Sequence, residues 1–593
     1  MAPQDEDTLY VCCDWLCWQM AMAEGLPCIH YEIGLSGEDP DDLMSTLYID
    51  ASDWVYVEGE DATLFNGVSL GRKFFKETGL VIFECCKIDQ TLRNLIQRFG
   101  PEELHYFDYR TDLVYLSADA RLDLIKDIAD ACGVRLIDHR QHSNDPETSH
   151  TLQAVYDVAL ENEFGWGRGW RKSARRLGEV LIDFVCRTRR HLGNRKISVL
   201  LLNTHLTSLP LLREFDGDGV VPIFIGIHFP NKRDWKFLFR SILKGVQLAS
   251  RPHTPLTQYD IAFVDAMGLR LEQAWKLPVG LVETFVRRYV REKILAPGRL
   301  HDMAYTVRWA DQLLIRQRPD RVVTDGLQNA TYCTFLELAR QKKIPTAATW
   351  HGHYLIDMKL ETLGGDRRVE ALADYCLTWG AAQEDWLDNT DATSISLRTG
   401  NPIAGQHFSD VPPTSGTNSV LVLQYAPLLQ DLHAPQSQAY RYFVETVRML
   451  MELGYEDICY RLHPGHARTS YYQDIAERFG LVCRISDSGS FKEVLEPAEF
   501  VIGPVTTGAM MEVLGASKPY YPVLLEPHAM NRDYLSGSKI FSSIASLRDA
   551  LESGLPLDQS QLLDDFTSRN QIPRPAQSMW RSIRDEMTEL QPA

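Results

Sequence analysis

Arg461-Leu462-His463-Pro464-Gly465-His466 closes one apolar-rich run, Tyr455 to Leu462, and Gly503-Pro504-Val505-Thr506-Thr507-Gly508 closes another, Phe500 to Gly503. A proline that stops a strand, a glycine that permits a tight turn and a pair of hydroxyls before a new helix mark both places as carboxyl ends of strands. In an open α/β sheet ligands bind at those ends, and the first turn of a helix offers backbone N–H groups to an anion. The two stretches therefore read as a phosphate-binding corner for a nucleotide.

Outward from this corner, Ser419 to Gln424, Leu481 to Ile485 and Tyr520 to Val523 are further strand candidates alternating with helices, which predicts a parallel doubly wound sheet. Upstream, Ser409 to Thr417 has the Pro/Ser/Thr/Gly composition of a linker. Before it, strands are expected at Ile197 to Asn203, Val220 to Ile227, Arg321 to Thr324, Thr346 to Trp350 and Tyr375 to Trp379, with a long, largely helical region over Trp235 to Ile315 and a helix over Ala330 to Gln341. In the first third, Thr8 to Cys13, Cys28 to Ile33, Trp54 to Val57, Val81 to Cys86, Leu104 to Phe107 and Arg135 to Ile137 read as strands, and Ala118 to Ala131 as a helix. Ser578 to Leu590 reads as a terminal amphipathic helix. The chain thus divides into residues 1–195, an N-terminal α/β accessory or acceptor-related domain with a helical linker; 196–408, a first Rossmann-type domain on the acceptor side; and 418–593, a second, nucleotide-binding Rossmann-type domain carrying the terminal helix.

The 593 residues exceed what one core supports. A formal charge of −19 argues against bulk attraction to nucleic acid or an anionic membrane; Arg187 to Arg190 and Arg287 to Arg291 are local basic clusters that read first as exposed helix faces and otherwise as docking points for an anionic glycan or membrane surface. No run approaches the roughly 18–20 apolar residues of a membrane span, and the acidic start lacks the features of a signal peptide, so a cytoplasmic location is expected. The twelve cysteines are scattered through apolar runs as free thiols would be.

At the corner, His463 can donate to a phosphate oxygen and, when protonated, stabilise a departing nucleotide. Arg461, Pro464, Thr506, Thr507 and Gly508 join it as nucleotide-binding candidates. Glu512, five residues beyond Thr507, is placed either to reach a ribose or to stand as a solvated helix carboxylate. In the middle domain, Asp325 ends a strand beside Gly326, where a carboxylate can take a proton from an attacking hydroxyl or cap the next helix. Trp350-His351-Gly352-His353 ends the following strand. His351 is a second acid/base or a phosphate contact, and His351 with His353 has no evident third ligand, so no metal is expected. Thr399-Gly400-Asn401-Pro402 reads equally as hinge and as ligand contact.

These motifs resemble two sets of bacterial glycan-assembly enzymes with paired Rossmann domains, the GT-B architecture. In the sialyltransferases and Kdo transferases that use CMP-activated ulosonic acids, an acidic-acidic-glycine motif looks like Thr324-Asp325-Gly326, with Thr324 where the first acid would stand; a histidine-proline motif is similar to His463-Pro464, and a hydroxyl pair to Thr506-Thr507. The CDP-glycerol glycerophosphotransferases have a tryptophan-histidine-glycine motif similar to Trp350-His351-Gly352 and an arginine-x-histidine-proline motif similar to Arg461 to Pro464. Gly503 to Thr507 departs from the second set's aspartate-tyrosine-serine-serine pattern.

The resemblance implies an α/β, GT-B-like fold of two facing Rossmann-type domains plus an additional N-terminal α/β domain. It implies a metal-independent glycosyltransferase moving a Kdo-like or sialic-acid-like ulosonic acid from a CMP-sugar donor to a surface-polysaccharide acceptor. Asp325 would be the base, and His463 a phosphate ligand or acid to the leaving CMP. No cofactor beyond the nucleotide sugar is expected; the partners would be that donor, a glycan or glycolipid acceptor and a peripheral membrane or assembly complex, with no nucleic acid. Three alternatives are a CDP-glycerol glycerophosphotransferase, a UDP-sugar transferase or 2-epimerase of the same fold, and a non-catalytic assembly scaffold.

Overall fold

A computed structural model describes residues 8–31, 55–107, 116–139, 180–188, 196–202, 219–225, 242–274, 284–286, 297–325, 330–349, 373–402, 418–425, 436–463, 469–525 and 539–587. Breaks within these tracts fall at 13–14, 117, 187, 253, 390–392, 506, 555–558, 570–571 and 573, and Leu211, Phe215, Arg288 and Glu292 are also described.

The early part of the chain contains β1 (Tyr10–Cys12), α1 (Trp15–Ala23), β2 (Cys28–His30), two short hairpins over 56–69, α2 (Phe75–Phe99), β3 (Glu103–Tyr106), α3 (Ala118–Cys132) and β4 (Arg135–Asp138). The middle contains β5 (Ile197–Leu202), β6 (Val220–Ile225), β7 (Gln247–Ala249), α4 (Gln258–Ala274), α5 (Pro297–Gln317), β8 (Arg321–Asp325), α6 (Ala330–Gln341), β9 (Thr346–Thr349), β10 (Tyr375–Thr378), α7 (Ala381–Asn389) and β11 (Ile395–Arg398). The last part contains β12 (Ser419–Leu423), α8 (Gln436–Glu452), β13 (Asp457–Arg461), α9 (Thr469–Arg478), β14 (Arg484–Ser486), α10 (Phe491–Leu495), β15 (Phe500–Pro504), α11 (Ala509–Gly515), β16 (Tyr520–Val523), α12 (Ile544–Glu552), α13 (Gln559–Arg569) and α14 (Ala576–Asp585).

Two all-parallel sheets organise these elements, in the orders β7-β6-β5-β8-β9-β10-β11 and β14-β13-β12-β15-β16. In each, the first strand in sequence is flanked by the second and the fourth, so the winding reverses there, as in a doubly wound fold. The expected α/β, GT-B-like class is the one found. Strand periodicity explains why both faces are covered. Leu200, Leu202, Ile223 and Val322 join one core of the first sheet, whereas Val199, Leu201, Phe224 and Val323 join the other. In the second sheet, Val420, Val422, Ile458 and Tyr460 face α8 and α9, and Leu421, Leu423, Cys459 and Val501 face α11.

The first third serves both sheets. β1, α1 and β2 lie on the second: Trp15 is buried in its core, with ring centroids 6.0 Å from Tyr440 and 5.5 Å from Phe479, and the N–H of Leu16 donates to the Tyr471 hydroxyl at 3.3 Å. Residues 55–132 supply Val55, Phe65, Leu70, Phe74, Cys85 and Leu124 to the core of the first. There Lys73 is ion-paired with Glu337 of α6, and Gln341 donates to the carbonyl of Gly67 at 2.8 Å.

Four expectations change. Val81 to Cys86 is not a strand but part of α2, because burial of Val81, Cys85, Ile88 and Leu95 follows a helical stripe; a short apolar run alone fits either structure. β7 interrupts the region expected to be helical, and its three residues are all buried, which leaves no alternation to read. α14, expected with the second domain, packs on the first sheet, where Met579, Trp580, Ile583 and Met587 complete a core and the Trp580 indole donates to the carbonyl of Leu211 at 3.1 Å. Thr399 to Pro402 is where the chain returning to α14 crosses: Asn401 N–H donates to Ile572 O at 2.8 Å, and Gly400, at φ 74°, leaves no room for a Cβ, which would lie 2.7 Å from Arg574. Packing between chain segments accounts for the glycine of that motif.

Every described cysteine is a free thiol. Among the described residues no helix is long and apolar enough to cross a membrane.

Candidate functional site

The carboxyl ends of β12, β13 and β15 are neighbours by strand order, about 5 Å apart per step. The winding of the second sheet reverses between β12 and β15. Gln424 follows β12, His463 follows β13, and Thr507 and Gly508 follow β15. These residues come from segments far apart in sequence, and register alone brings them to one edge: Leu423 pairs with Arg461, and Val422 with Ile502.

Gln424 organises this edge, and nothing in the sequence singled it out. Its side chain is buried. The Oε1 atom accepts the backbone N–H of His463 at 2.6 Å, the Nε2 group donates to the Tyr472 hydroxyl at 2.9 Å, and its own N–H donates to the carbonyl of Arg461 at 2.9 Å. Tyr472 is fixed in turn by an aromatic cluster, its ring 5.2 Å from Phe443 and 5.5 Å from Tyr460. The only available signal was a glutamine ending an apolar strand, where a buried amide must find partners.

His463 has an exposed side chain at the end of β13, and desolvation holds its imidazole below the ordinary value. It is therefore neutral near pH 7, able to donate one hydrogen bond without carrying charge. The guanidinium of Arg461, a nucleotide-binding candidate, is engaged with the turn after β14: it donates to Ser486 Oγ at 2.8 Å, to the carbonyl of Ser488, and to Gly489 O at 3.0 Å. In this arrangement it braces the wall of the edge.

At β15 the chain turns through Val505 into α11, and Thr507 Oγ1 accepts the N–H of Ala509 at 3.4 Å. Gly503 is required for packing. A Cβ there would lie 2.5 Å from the Tyr520 hydroxyl, which donates to the carbonyl of Pro504 at 2.8 Å. Glu512 is half-buried in the first turn of α11, and desolvation raises its carboxyl above the ordinary range. It is not the freely solvated helix carboxylate of the alternative reading.

In the first sheet, Asp325 is the last residue of β8, beside β5 at the corresponding reversal of winding, and its backbone is in register with Thr349, the last residue of β9. His351, His353, Pro464 and Thr506 lie outside the described residues.

No protein-family model matches the chain, and no curated protein matches it. Among solved structures, it is similar to the UDP-GlcNAc 2-epimerase of Methanocaldococcus jannaschii at 12% identity, with TM-score 0.39 over 66% of this chain and 99% of that one. The UDP-GlcNAc 2-epimerase of Neisseria meningitidis bound to UDP-GlcNAc gives 10% and 0.38, over 65% and 98%. The glycosyltransferase SnogD of Streptomyces nogalater gives 14% and 0.34, over 66% and 99%. These are distant likenesses.

Proposed function

We propose that the chain is a glycosyltransferase that moves a Kdo-like or sialic-acid-like ulosonic acid from its CMP ester to a glycan acceptor in the cytoplasm. The observation that carries this reading is the placement of His463, clamped through its backbone by Gln424, at the carboxyl end of β13, one strand from the reversal of winding between β12 and β15. The resemblance of His463-Pro464 and Thr506-Thr507 to CMP-ulosonic acid transferase motifs supports the choice of donor.

In this reading the phosphate of CMP sits at the edge formed by β12, β13 and β15, with the imidazole of His463 donating to a non-bridging oxygen and Glu512 accepting from the ribose. In the inverting case, Asp325 takes the proton of the acceptor hydroxyl as its oxygen bonds to the anomeric carbon. The bond from that carbon to the phosphate oxygen breaks, and its electron pair leaves with CMP, whose growing charge His463 stabilises.

The test is a thermal-shift series with CMP, CDP, UMP, UDP and GDP, since a ligand at 100 times its Kd adds about 2.7 kcal/mol, followed by CMP release with the wild type and the Asp325→Ala and His463→Ala variants. Selective stabilisation by CMP, with turnover falling ~10²–10³-fold in each variant, is expected. Preference for UDP overturns the donor, and no shift with any nucleotide overturns the transferase reading.

A further inference from the structure

The helix α4 carries two apolar stripes. Packing on a sheet needs only one, and α4 supplies it with Val264, Met267 and Leu271, all buried in a core of the first sheet. Asp260, also buried, closes the first turn on that side by accepting the N–H and the hydroxyl of Thr257 at 2.9 and 2.8 Å. The second stripe faces away: Tyr259, Ala262, Phe263, Ala266 and Leu269 are exposed, Tyr259 by 76%, Leu269 by 62% and Phe263 by 43%. It is braced from beneath. The Phe263 ring centroid lies 6.2 Å from that of buried Phe65 and 6.4 Å from that of Tyr259. A continuous apolar stripe held in place at the surface marks a site of association.

Its spacing says what kind. Tyr259, Ala262, Ala266 and Leu269 are separated by three, four and three residues, the a and d positions of two heptads. Asp265, just before the second a position, and Arg270, just after the second d, are both exposed and flank the seam on opposite sides, at g and e. In a parallel helix pair each g side chain faces the e side chain five residues further along its partner, and 265 to 270 is that interval. A two-fold axis along the seam therefore sets the acid of each copy against the base of the other. An antiparallel pair would bring like flanks together, acid beside acid. Asp265 is approached from α5 by His301, Nε2 to Oδ1 at 3.0 Å, yet its side chain is still 55% exposed.

We propose that α4 joins two copies of this chain as a parallel, two-fold pair. The alanines let the two helices approach closely, Tyr259 and Leu269 pack across the axis, and two Asp265–Arg270 pairs fix the direction and register. Because α4 is already folded on its sheet, association orders side chains but need not form a helix. The inference is independent of the nucleotide and the reaction proposed above.

Sedimentation velocity of the full chain from about 1 to 100 μM, the span of weak to moderate affinity, tests it. The wild type should pass from monomer to dimer within that range. Ala266→Glu, at an exposed position, should leave the thermal midpoint unchanged and weaken the dimer at least about tenfold, because two carboxylates then meet on the axis. Asp265→Arg and Arg270→Asp should each weaken self-association at least about tenfold, since like charges then oppose one another twice, whereas an equimolar mixture of these two variants should recover the wild-type dimer, every acid again finding a base. If Ala266→Glu fails to fold, the charge variants and their mixture carry the comparison. A wild type that stays monomeric, variants that dimerise like the wild type, or a mixture no better than its components overturns the proposal.

Discussion

The side-chain carbonyl of Gln424 accepts the backbone N–H of His463 at 2.6 Å while its amide donates to Tyr472 at 2.9 Å, so one buried carboxamide sets the position of the histidine at the end of β13. Removing the amide takes one hydrogen-bond partner from each of these two groups.

Gln424→Leu keeps the bulk and deletes both bonds. Stability should fall by about 1–3 kcal/mol, and nucleotide affinity about tenfold or more, because the histidine loses its anchor. Gln424→Glu, which retains an acceptor for His463, should recover most of the affinity. Equal nucleotide affinity in wild type and the leucine variant, by titration calorimetry, would refute the positioning role.

His463 titrates below its ordinary value of about 6.5. The unfolded chain therefore takes up this proton before the folded one, and the stability it withholds is lost as pH falls through that ordinary value towards the folded one. A bound phosphate favours the charged imidazole and shifts it back up. Nucleotide binding near pH 6 should then be accompanied by proton uptake, measured as a dependence of binding enthalpy on buffer ionisation heat. His463→Gln should abolish the uptake, and its persistence would assign the proton to another group.

Glu512 has the opposite sign. Its carboxyl titrates above the ordinary range, so the folded chain holds the proton more tightly and stability declines as pH rises from about 4.3 through the raised value. Above that raised value the ionised side chain is a burden on the fold. Glu512→Gln should raise the thermal midpoint and weaken nucleotide binding about tenfold, as expected for a lost hydrogen bond to a charged group. A variant that is stabilised yet binds normally would make Glu512 a bystander.

Trp580 closes a core of the first sheet from a helix that follows the second in sequence. Trp580→Ala should cost about 3–5 kcal/mol and lower the denaturation midpoint accordingly. A loss below about 1 kcal/mol would show that α14 is not integral to that sheet.

The second sheet was largely legible because strands buried on both faces read as apolar runs, and the residues that end those runs mark the carboxyl edge of its strands. The place of Asp325 at the end of β8 was legible for the same reason. Gln424 was not, because its importance lies in partners at positions 463 and 472 that no local pattern connects to it. Val81 to Cys86 misled because a short apolar run carries no period. The allegiance of Trp15 and Trp580 to opposite sheets is a matter of tertiary packing, invisible to a reading that assigns each segment to its nearest neighbours in sequence.

That allegiance has a consequence for handling the protein. Residues 10–30 are built into the second sheet's unit and residues 576–587 into the first, so each unit borrows its outer wall from the far end of the chain. Neither half can be expressed cleanly by cutting the chain within residues 409–417. A first unit made this way keeps the stray β1-α1-β2 hook and lacks its final helix, and the complementary fragment exposes the tyrosine bed that Trp15 covers. Mixing the two fragments should restore both walls in trans, which makes this molecule a natural candidate for a split, self-reassembling design.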